Sequence, residues 1–271
     1  MEIKKKISLI DTNFTGRDII NMPGVNFSWW DKNELVSEHV FITDTKLEFV
    51  DKINKPGIKK IAWLLEPKGI LPDIYEWILK YYKKFDKVLT FDRDIIAKID
   101  NGLFAPYGTY WVEKTSKEKT NLVSMIASFK NEAPGHKIRH AINKHFNDRV
   151  DIYGSITGNR IDSKNVGLDN YKYSFAIENC IQDGYFSEKL LDCFATKTIP
   201  LYWGSKSVSE FFNIDGIIFL QDFNSVQSLL DFINDQVYNS KIEAIEENYN
   251  KIDSYHIPEI YIEKNYNNLL K

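Results

Sequence analysis

Short apolar segments alternate with amphipathic helical segments along most of the 271 residues. This order constrains the fold, because strands that alternate with helices build βαβ units with parallel strands. The pattern therefore predicts an α/β protein with mostly parallel sheets. The predicted strands are 7–10, 40–43, 60–65, 87–90, 122–127, 150–153, 173–177, 199–203 and 217–220, and the predicted helices are 72–85, 135–146, 187–195 and 224–237.

A polar segment near the middle of the chain predicts a domain boundary. Residues 112–121, VEKTSKEKTN, contain almost no large apolar side chain and many charges. We interpret them as a linker between two α/β domains, with an exposed loop inside one domain as the alternative. The predicted domains are residues 1–115 and residues 116–271. The last part, 241–271, is expected to form a helical tail of the second domain.

The composition excludes several classes of protein. Hydrophobic residues make up 43%, charged residues 27%, and the net charge is −3, so nothing points to a nucleic-acid partner. No apolar stretch reaches the ~18 residues of a membrane span, and no signal peptide is recognisable at the N-terminus. Two cysteines, Cys180 and Cys193, exclude a disulfide scaffold, and each is expected to be a small buried residue. We expect a soluble, cytoplasmic protein.

One segment places polar side chains where an α/β sheet binds ligands. The apolar strand 173–177 ends at Glu178 and Asn179, and ligands of such sheets bind beyond the carboxyl ends of the strands. The next helix can be capped by Ser187 and begins with Glu188 and Lys189. A lysine is disfavoured at a helix N-terminus unless an anion binds in front of it. The pattern favours a phosphate site, with an ordinary capping turn as the alternative.

The sequence FAIENCIQDGYFSEKLLDCFATKTIPLYWGS, residues 175–205, resembles the donor-binding motif of the α-1,3/1,4-fucosyltransferases, glycosyltransferase family 10. The E-N pair, the Y-x-[ST]-E-K motif and the I-P-x-Y-W-G-S motif occur in the family's order. Three upstream segments are similar to the family in the same order, at 61–72, 85–108 and 122–144. The first sixty residues contain no recognisable motif of the family.

The resemblance implies the GT-B architecture, with two Rossmann-like domains that face a cleft. It implies an inverting enzyme that transfers L-fucose from GDP-fucose to a hydroxyl of a glycan acceptor. The implied partners are thus a nucleotide-sugar donor and a glycan acceptor, and neither a metal nor another cofactor is required. The residues that match the family's functional positions are Glu66 as general base and Arg139, Glu178, Asn179, Tyr185, Glu188 and Lys189 at the donor.

The implied chemistry requires these residue types. In a single displacement the acceptor hydroxyl loses its proton as the new bond forms, so a carboxylate such as Glu66 must accept that proton. The leaving nucleoside diphosphate gains negative charge. Without a metal, Arg139, Lys189 and a helix N-terminus must balance it, and an arginine can donate two parallel hydrogen bonds to a phosphate.

Other interpretations of these residues remain open. Glu66 can be a surface carboxylate at a strand end, and Arg139 a solvated helix residue. The segment 92–94, Asp-Arg-Asp, mimics the D-x-D motif of metal-dependent glycosyltransferases, but we interpret it as structural or close to the donor. The histidines that share the predicted helix 135–146 are interpreted as solvated residues rather than metal ligands; they are His136, His140 and His145.

Three alternative functions follow from the same sequence. Residues 91–93, Phe-Asp-Arg, stand where the family commonly has Tyr-Arg-Arg, so a glycosyltransferase of the same fold with another nucleotide sugar is the first alternative. A catalytically silent nucleotide-sugar-binding module is the second. A dinucleotide oxidoreductase is least favoured, because no G-x-G-x-x-G motif follows any predicted strand.

Overall fold

A computed structural model describes residues 5–11, 25–29, 34–35 and 37–270. The strands are β1 (Lys5–Ile10), β2 (Phe27–Trp29), β3 (His39–Thr43), β4 (Lys59–Trp63), β5 (Lys87–Thr90), β6 (Gly102–Phe104), β7 (Asn121–Ile126), β8 (Asp151–Tyr153), β9 (Tyr171–Ile177), β10 (Ile199–Trp203) and β11 (Ile218–Phe219). The helices are α1 (Pro72–Tyr81), α2 (Arg93–Ile96), α3 (Pro134–Phe146), α4 (Glu188–Ala195), α5 (Val226–Phe232), α6 (Asp235–Ser240), α7 (Ile242–Lys251) and α8 (Pro258–Tyr266).

The chain divides into two compact units, each built on its own sheet. The first unit comprises residues 1–107 and 257–271, and the second comprises residues 108–256. The first sheet has the order β2-β1-β3-β4-β5-β6 and the second the order β11-β10-β9-β7-β8. All described strand pairs in both sheets are parallel. The expected α/β class with two Rossmann-like domains is confirmed.

Both faces of the first sheet are covered. Phe41, Ile61 and Trp63 belong to one buried cluster, whereas their neighbours Val40 and Ala62 belong to the cluster on the opposite side. Because side chains alternate along a strand, residues on both faces must be apolar when helices cover both. This explains the continuous apolar runs in the sequence.

The observed units differ from the predicted domains at both ends of the second domain. The first unit ends at residue 107 rather than 115. The tail, predicted to belong entirely to the second domain, returns to the first unit from residue 257 onward. There Ile262 is fully buried in the same cluster as Trp63, and the indole Nε1 of Trp29 donates to Glu259 Oε1 at 2.9 Å. A buried apolar side chain and a buried hydrogen bond therefore attach this mostly polar tail to the first unit.

The predicted linker 112–121 is wrong, because this segment packs onto the second unit. Val112 is buried in the core of that unit, and Thr115 N–H donates to the Ala195 carbonyl at 2.9 Å. The ammonium of Lys119 donates to three acceptors, namely Leu168 O at 3.1 Å, Asp169 O at 2.7 Å and Thr198 Oγ1 at 3.0 Å. The segment is thus attached to the second unit by hydrogen bonds to backbone carbonyl groups and to a side chain.

Every predicted strand and helix is present, with small differences at the ends. The predicted helix 224–237 is divided into α5 and α6, because Asn234 Oδ1 accepts from Val237 N–H and caps a new helix. Two short strands, β2 and β6, were not predicted. Cys180 and Cys193 are buried, as expected. Within the described part of the chain no helix is long and apolar enough to cross a bilayer.

Candidate active site

The carboxyl end of β9 carries a fully buried carboxylate, Glu178. Its Oε1 accepts the Ser187 N–H at 2.8 Å and its Oε2 accepts the Ser187 hydroxyl at 2.6 Å. The ammonium of Lys189 lies 3.7 Å from Oε2, and the Tyr202 hydroxyl donates to Oε1 at 3.5 Å. Burial raises the pKa of Glu178, against the nearby charge of Lys189. The side chain therefore holds the start of α4 in place from inside the protein.

Helix α3 is pressed against the same strand end. The Gly135 N–H donates to the Asn179 carbonyl at 3.0 Å, and a Cβ at Gly135 would lie 1.7 Å from the Glu178 carbonyl oxygen. One turn later, Arg139 Nη2 donates to Ile177 O at 2.7 Å and to Asn179 Oδ1 at 2.9 Å. Glycine thus allows the close approach that brings Arg139 onto the end of β9.

Arg139 is buried rather than solvated, which corrects the alternative considered from the sequence. Only 6% of its surface is exposed. Its Nε and Nη1 have no acceptor among the described residues, and neither is sealed from solvent. Burial lowers the pKa of Arg139, while the nearby carboxylates of Glu178 and Glu188 oppose that shift. A guanidinium that is anchored by one nitrogen retains two nitrogens for an anion.

The first turn of α4 contains an ion pair formed by the predicted residues Glu188 and Lys189. The ammonium of Lys189 lies 3.1 Å from Glu188 Oε1 and 3.1 Å from Ser187 Oγ. Burial favours the neutral form of Glu188, but the ammonium groups of Lys189 and Lys164 outweigh it and lower its pKa to about 2. Burial likewise opposes the charge of Lys189, but the two carboxylates raise its pKa. Both side chains are therefore charged at neutral pH.

Tyr185 and Asn179 complete the donor residues predicted in the second unit. Tyr185 is buried, and it lies close enough to Arg139 to influence the pKa of the guanidinium. The loop before it is fastened to the loop after β10, because Ser205 Oγ donates to Asp183 Oδ1 at 2.6 Å and Gly184 N–H donates to Ser207 Oγ at 2.8 Å. Arg139, Glu178, Asn179, Tyr185, Glu188 and Lys189 are thus brought together beyond the end of β9.

Glu66, the predicted base, belongs to the first unit and follows β4. Asp44 Oδ1 accepts the N–H groups of Leu65 and Glu66 at 2.9 and 3.4 Å, and the Tyr75 hydroxyl donates to the Glu66 carbonyl at 2.9 Å. Asp44, which is buried with a φ of 37°, was not predicted as a site residue from the sequence. A carboxylate directly after a predicted strand was the available signal.

Glu66 differs in exposure from the other carboxylates near the ends of the first sheet's strands. Asp11, Asp44 and Asp92 are buried. Asp11 accepts the Thr43 hydroxyl, and Asp92 Oδ1 accepts the Ile95 N–H at 2.9 Å as the cap of α2. Glu66 is half-buried. Among the described residues that follow the carboxyl end of a strand of this sheet by up to three positions, Glu66 is the one carboxylate that is not buried. The capping role of Asp92 supports a structural interpretation of residues 92–94.

His136 was expected to be solvated and is instead buried in the first turn of α3. Its Nδ1 accepts the Ala133 N–H at 3.1 Å and so caps the helix. His140 is half-buried, with Nε2 3.1 Å from the Lys130 carbonyl oxygen. Among the residues that the structure describes, no group of three or more His, Cys, Asp and Glu side chains is arranged to hold a metal. Metal independence stays a prediction.

The chain is similar in sequence to known fucosyltransferases. The chain is 33% identical over 113 residues to the α-(1,3)-fucosyltransferase FucT of Helicobacter pylori. The match covers 40% of this chain and 24% of the relative. The chain is also 26% identical over 187 residues to the 4-galactosyl-N-acetylglucosaminide 3-α-L-fucosyltransferase 9 of Mus musculus, a match that covers 65% of this chain and 50% of the relative. The chain therefore spans between a quarter and half of these relatives' lengths.

Solved structures show the same fold at low sequence identity. The crystal structure of an α1,3-fucosyltransferase with GDP is 18% identical, with a TM-score of 0.60, and the match covers 98% of this chain and 91% of the other. This likeness confirms the expected GT-B-type fold class. The family model of glycosyltransferase family 10 (fucosyltransferase), C-terminal part, matches residues 115–264, which is more than half of the chain. The chain belongs to glycosyltransferase family 10.

Proposed function

We propose that this protein is an inverting glycosyltransferase that transfers L-fucose from GDP-fucose to a hydroxyl of a glycan acceptor. Its family membership supports the class of reaction. The observation that carries the donor assignment is the cluster beyond β9, where Arg139 keeps two guanidinium nitrogens without protein acceptors among the described residues, beside the first turn of α4. A guanidinium beside the partial positive charge of a helix start suits a nucleoside diphosphate.

In the proposed reaction the two units supply different groups. Arg139, Lys189 and the start of α4 stabilise the negative charge that develops on the leaving GDP. Glu188, held ionised at neutral pH, is suited to accept hydrogen bonds from the ribose hydroxyls. Glu66 accepts the proton of the acceptor hydroxyl while the new glycosidic bond forms at the anomeric carbon, which inverts its configuration.

Glu178 takes a different role from the other donor residues. Because its carboxylate is fully buried and bonded to Ser187, we assign it to positioning rather than to donor contact. It holds the backbone and hydroxyl of Ser187, and its charge lies beside Lys189. The donor contacts then fall to Arg139, Asn179, Tyr185, Glu188 and Lys189.

A donor with another nucleotide is the main alternative, because the fold alone does not determine which nucleobase the protein binds. The S. aureus TarM structure in complex with UDP has a TM-score of 0.61 to this chain at 13% identity, covering 88% of this chain and 57% of the other. Its TM-score is close to the 0.60 of the fucosyltransferase with GDP. The identity of the nucleotide must therefore be measured.

Calorimetric titration with GDP, GDP-fucose, UDP and UDP-N-acetylglucosamine tests the proposal. We expect GDP and GDP-fucose to bind more tightly than the uridine compounds. We also expect GDP release from GDP-fucose, stimulated by a glycan acceptor and undiminished in excess EDTA. Binding of UDP without binding of GDP would indicate that the donor is a different nucleotide sugar. Binding of GDP-fucose without any transfer or hydrolysis would favour the silent module.

A further inference from the structure

His136 has one ring nitrogen used by the protein and one that is not. Nδ1 accepts the Ala133 N–H, so in the neutral ring the proton resides on Nε2. Nε2 has no partner among the described residues and is not sealed from solvent, although only 6% of the residue is exposed. The helix cap therefore fixes both the tautomer and the orientation of the ring. The Nε2–H group therefore remains as a hydrogen-bond donor that is almost completely buried.

This donor lies in the positively charged part of the candidate site. His136 and Arg139 are one turn apart on α3, and both are among the helix residues that the protein buries. Burial lowers the pKa of His136, and the charges of Arg139, Lys130 and Lys189 lower it further. The opposing carboxylate of Glu132 lies 3.4 Å from Nδ1, but its side chain is 82% exposed, so solvent weakens its effect. The ring is neutral at physiological pH.

We propose that His136 is a further donor-binding residue, whose Nε2–H donates to a phosphate oxygen of the nucleoside diphosphate that Arg139 and Lys189 bind. This inference rests on the proposed function and adds a residue to its site. A neutral N–H adds a directed hydrogen bond without a third positive charge beside Arg139 and Lys189. The same ring caps α3, so its donor is held in place before the ligand arrives.

Two substitutions separate this role from the capping role. Position 136 is the third residue of α3, where a glutamine or glutamate side chain can accept the capping N–H in place of Nδ1. His136→Gln also supplies a neutral N–H donor, whereas His136→Glu presents only carboxylate oxygens to the phosphate. Lys137→Gln is the matched control for His136→Glu, because each of these two substitutions lowers the net charge by one unit, and position 137 is adjacent and exposed.

The binding of GDP and of inorganic pyrophosphate is measured by calorimetry for all four proteins, with thermal unfolding as the check on folding. We expect His136→Glu to weaken both ligands at least about tenfold, while His136→Gln and Lys137→Gln stay within about threefold of wild type. In protein labelled with 15N-histidine, the Nε2–H signal of His136 is expected to shift when pyrophosphate is added.

Each other outcome overturns the inference or the proposed function. If His136→Glu folds normally and binds both ligands like wild type, His136 is a helix cap only. If that variant fails to fold, an Nε2–H signal unmoved by saturating pyrophosphate leads to the same conclusion. Pyrophosphate binding without GDP binding would contradict the proposed donor and leave the test of His136 intact. Binding of neither ligand by wild type would overturn both.

Discussion

Arg139 shows how one side chain can be part of the fold and of the site together. Its Nη2 joins the last carbonyl of β9 to Asn179, while its other nitrogens have no protein acceptor within the described part of the chain. The sequence predicted the contact with the donor but left a solvated helix surface open as the residue's location. Burial of the guanidinium makes the charge harder to replace, because an ammonium cannot hold both sets of acceptors.

Arg139→Lys is expected to weaken GDP binding about ten- to a hundredfold, the effect of losing a charge-assisted bond worth roughly 1.5–3 kcal/mol. Calorimetry measures the affinity, and thermal unfolding shows whether the second unit remains folded. Lys137→Ala, on the exposed side of the same helix, is the control and should leave GDP binding unchanged. An Arg139→Lys protein that binds GDP like wild type would remove the guanidinium from the donor site.

At the scale of elements, the contact between α3 and the end of β9 holds together the residues proposed to bind the donor. The contact depends on Gly135, because a Cβ at this position would lie 1.7 Å from the Glu178 carbonyl oxygen. We expect Gly135→Ala to push the helix away and to destabilise the second unit by about 1–3 kcal/mol or more. GDP affinity should fall with it, since His136 and Arg139 move with the helix. Urea unfolding and calorimetry measure the two effects, and a Gly135→Ala protein with wild-type stability would contradict the close packing.

The segment 112–121, which the sequence predicted to be a linker, leads to a prediction about pH. Burial lowers the pKa of Lys119 from 10.5 to about 8, so between these values the unfolded chain binds a proton that the folded protein has lost. The free energy of unfolding therefore gains a contribution that rises with pH across this window. In Lys119→Met that rise is absent, and the stability difference from wild type should change between pH 8 and pH 10.5 in urea unfolding.

Lys117→Met provides the matched control for this experiment. Lys117 lies in the same segment, but its bond to Asp169 raises its pKa above the ordinary value. It stays protonated in both states until the pH approaches 10.5, so its contribution is constant across most of the window. An equal pH dependence of the two variants would mean that Lys119 is not buried as the structure shows.

The sequence predicted the helices and strands well, but it predicted the tertiary contacts of their side chains less well. Strands such as β9 and β10 are continuous apolar runs, because both sheet faces are covered, and such runs are visible locally. Most of the residues proposed to bind the donor were predicted from a long motif that begins within β9, whereas Arg139 was predicted from an upstream segment. The burial of Arg139 and the cap formed by His136 depend on contacts that no local pattern reveals. For Asp44 the position after a strand was visible in the sequence, but its contact with Glu66 was not. The tail joined the first unit for the same reason, through Glu259 and Ile262.

At the scale of the whole molecule, the proposed reaction needs a group from each unit. The residues proposed to bind the donor lie in the second unit, on α3, on α4 and in the segment after β9, and the proposed base lies in the first. The backbone of Glu66 is held by Asp44 and Tyr75, so its carboxylate extends from a fixed support. Binding of the nucleotide and removal of the proton should therefore be separable by substitution.

Glu66→Gln keeps the size of the side chain and removes its ability to accept a proton. We expect GDP affinity close to wild type and transfer slowed by at least about a hundredfold, the scale of general base catalysis. The acidic limb of the pH–rate profile should disappear as well, because that limb reports protonation of the base. Glu76→Gln, an exposed residue of α1, is the control for a charge change in the same unit. If the Glu66→Gln protein retains about a third or more of wild-type turnover, Glu66 is not the base, and another carboxylate must accept the proton.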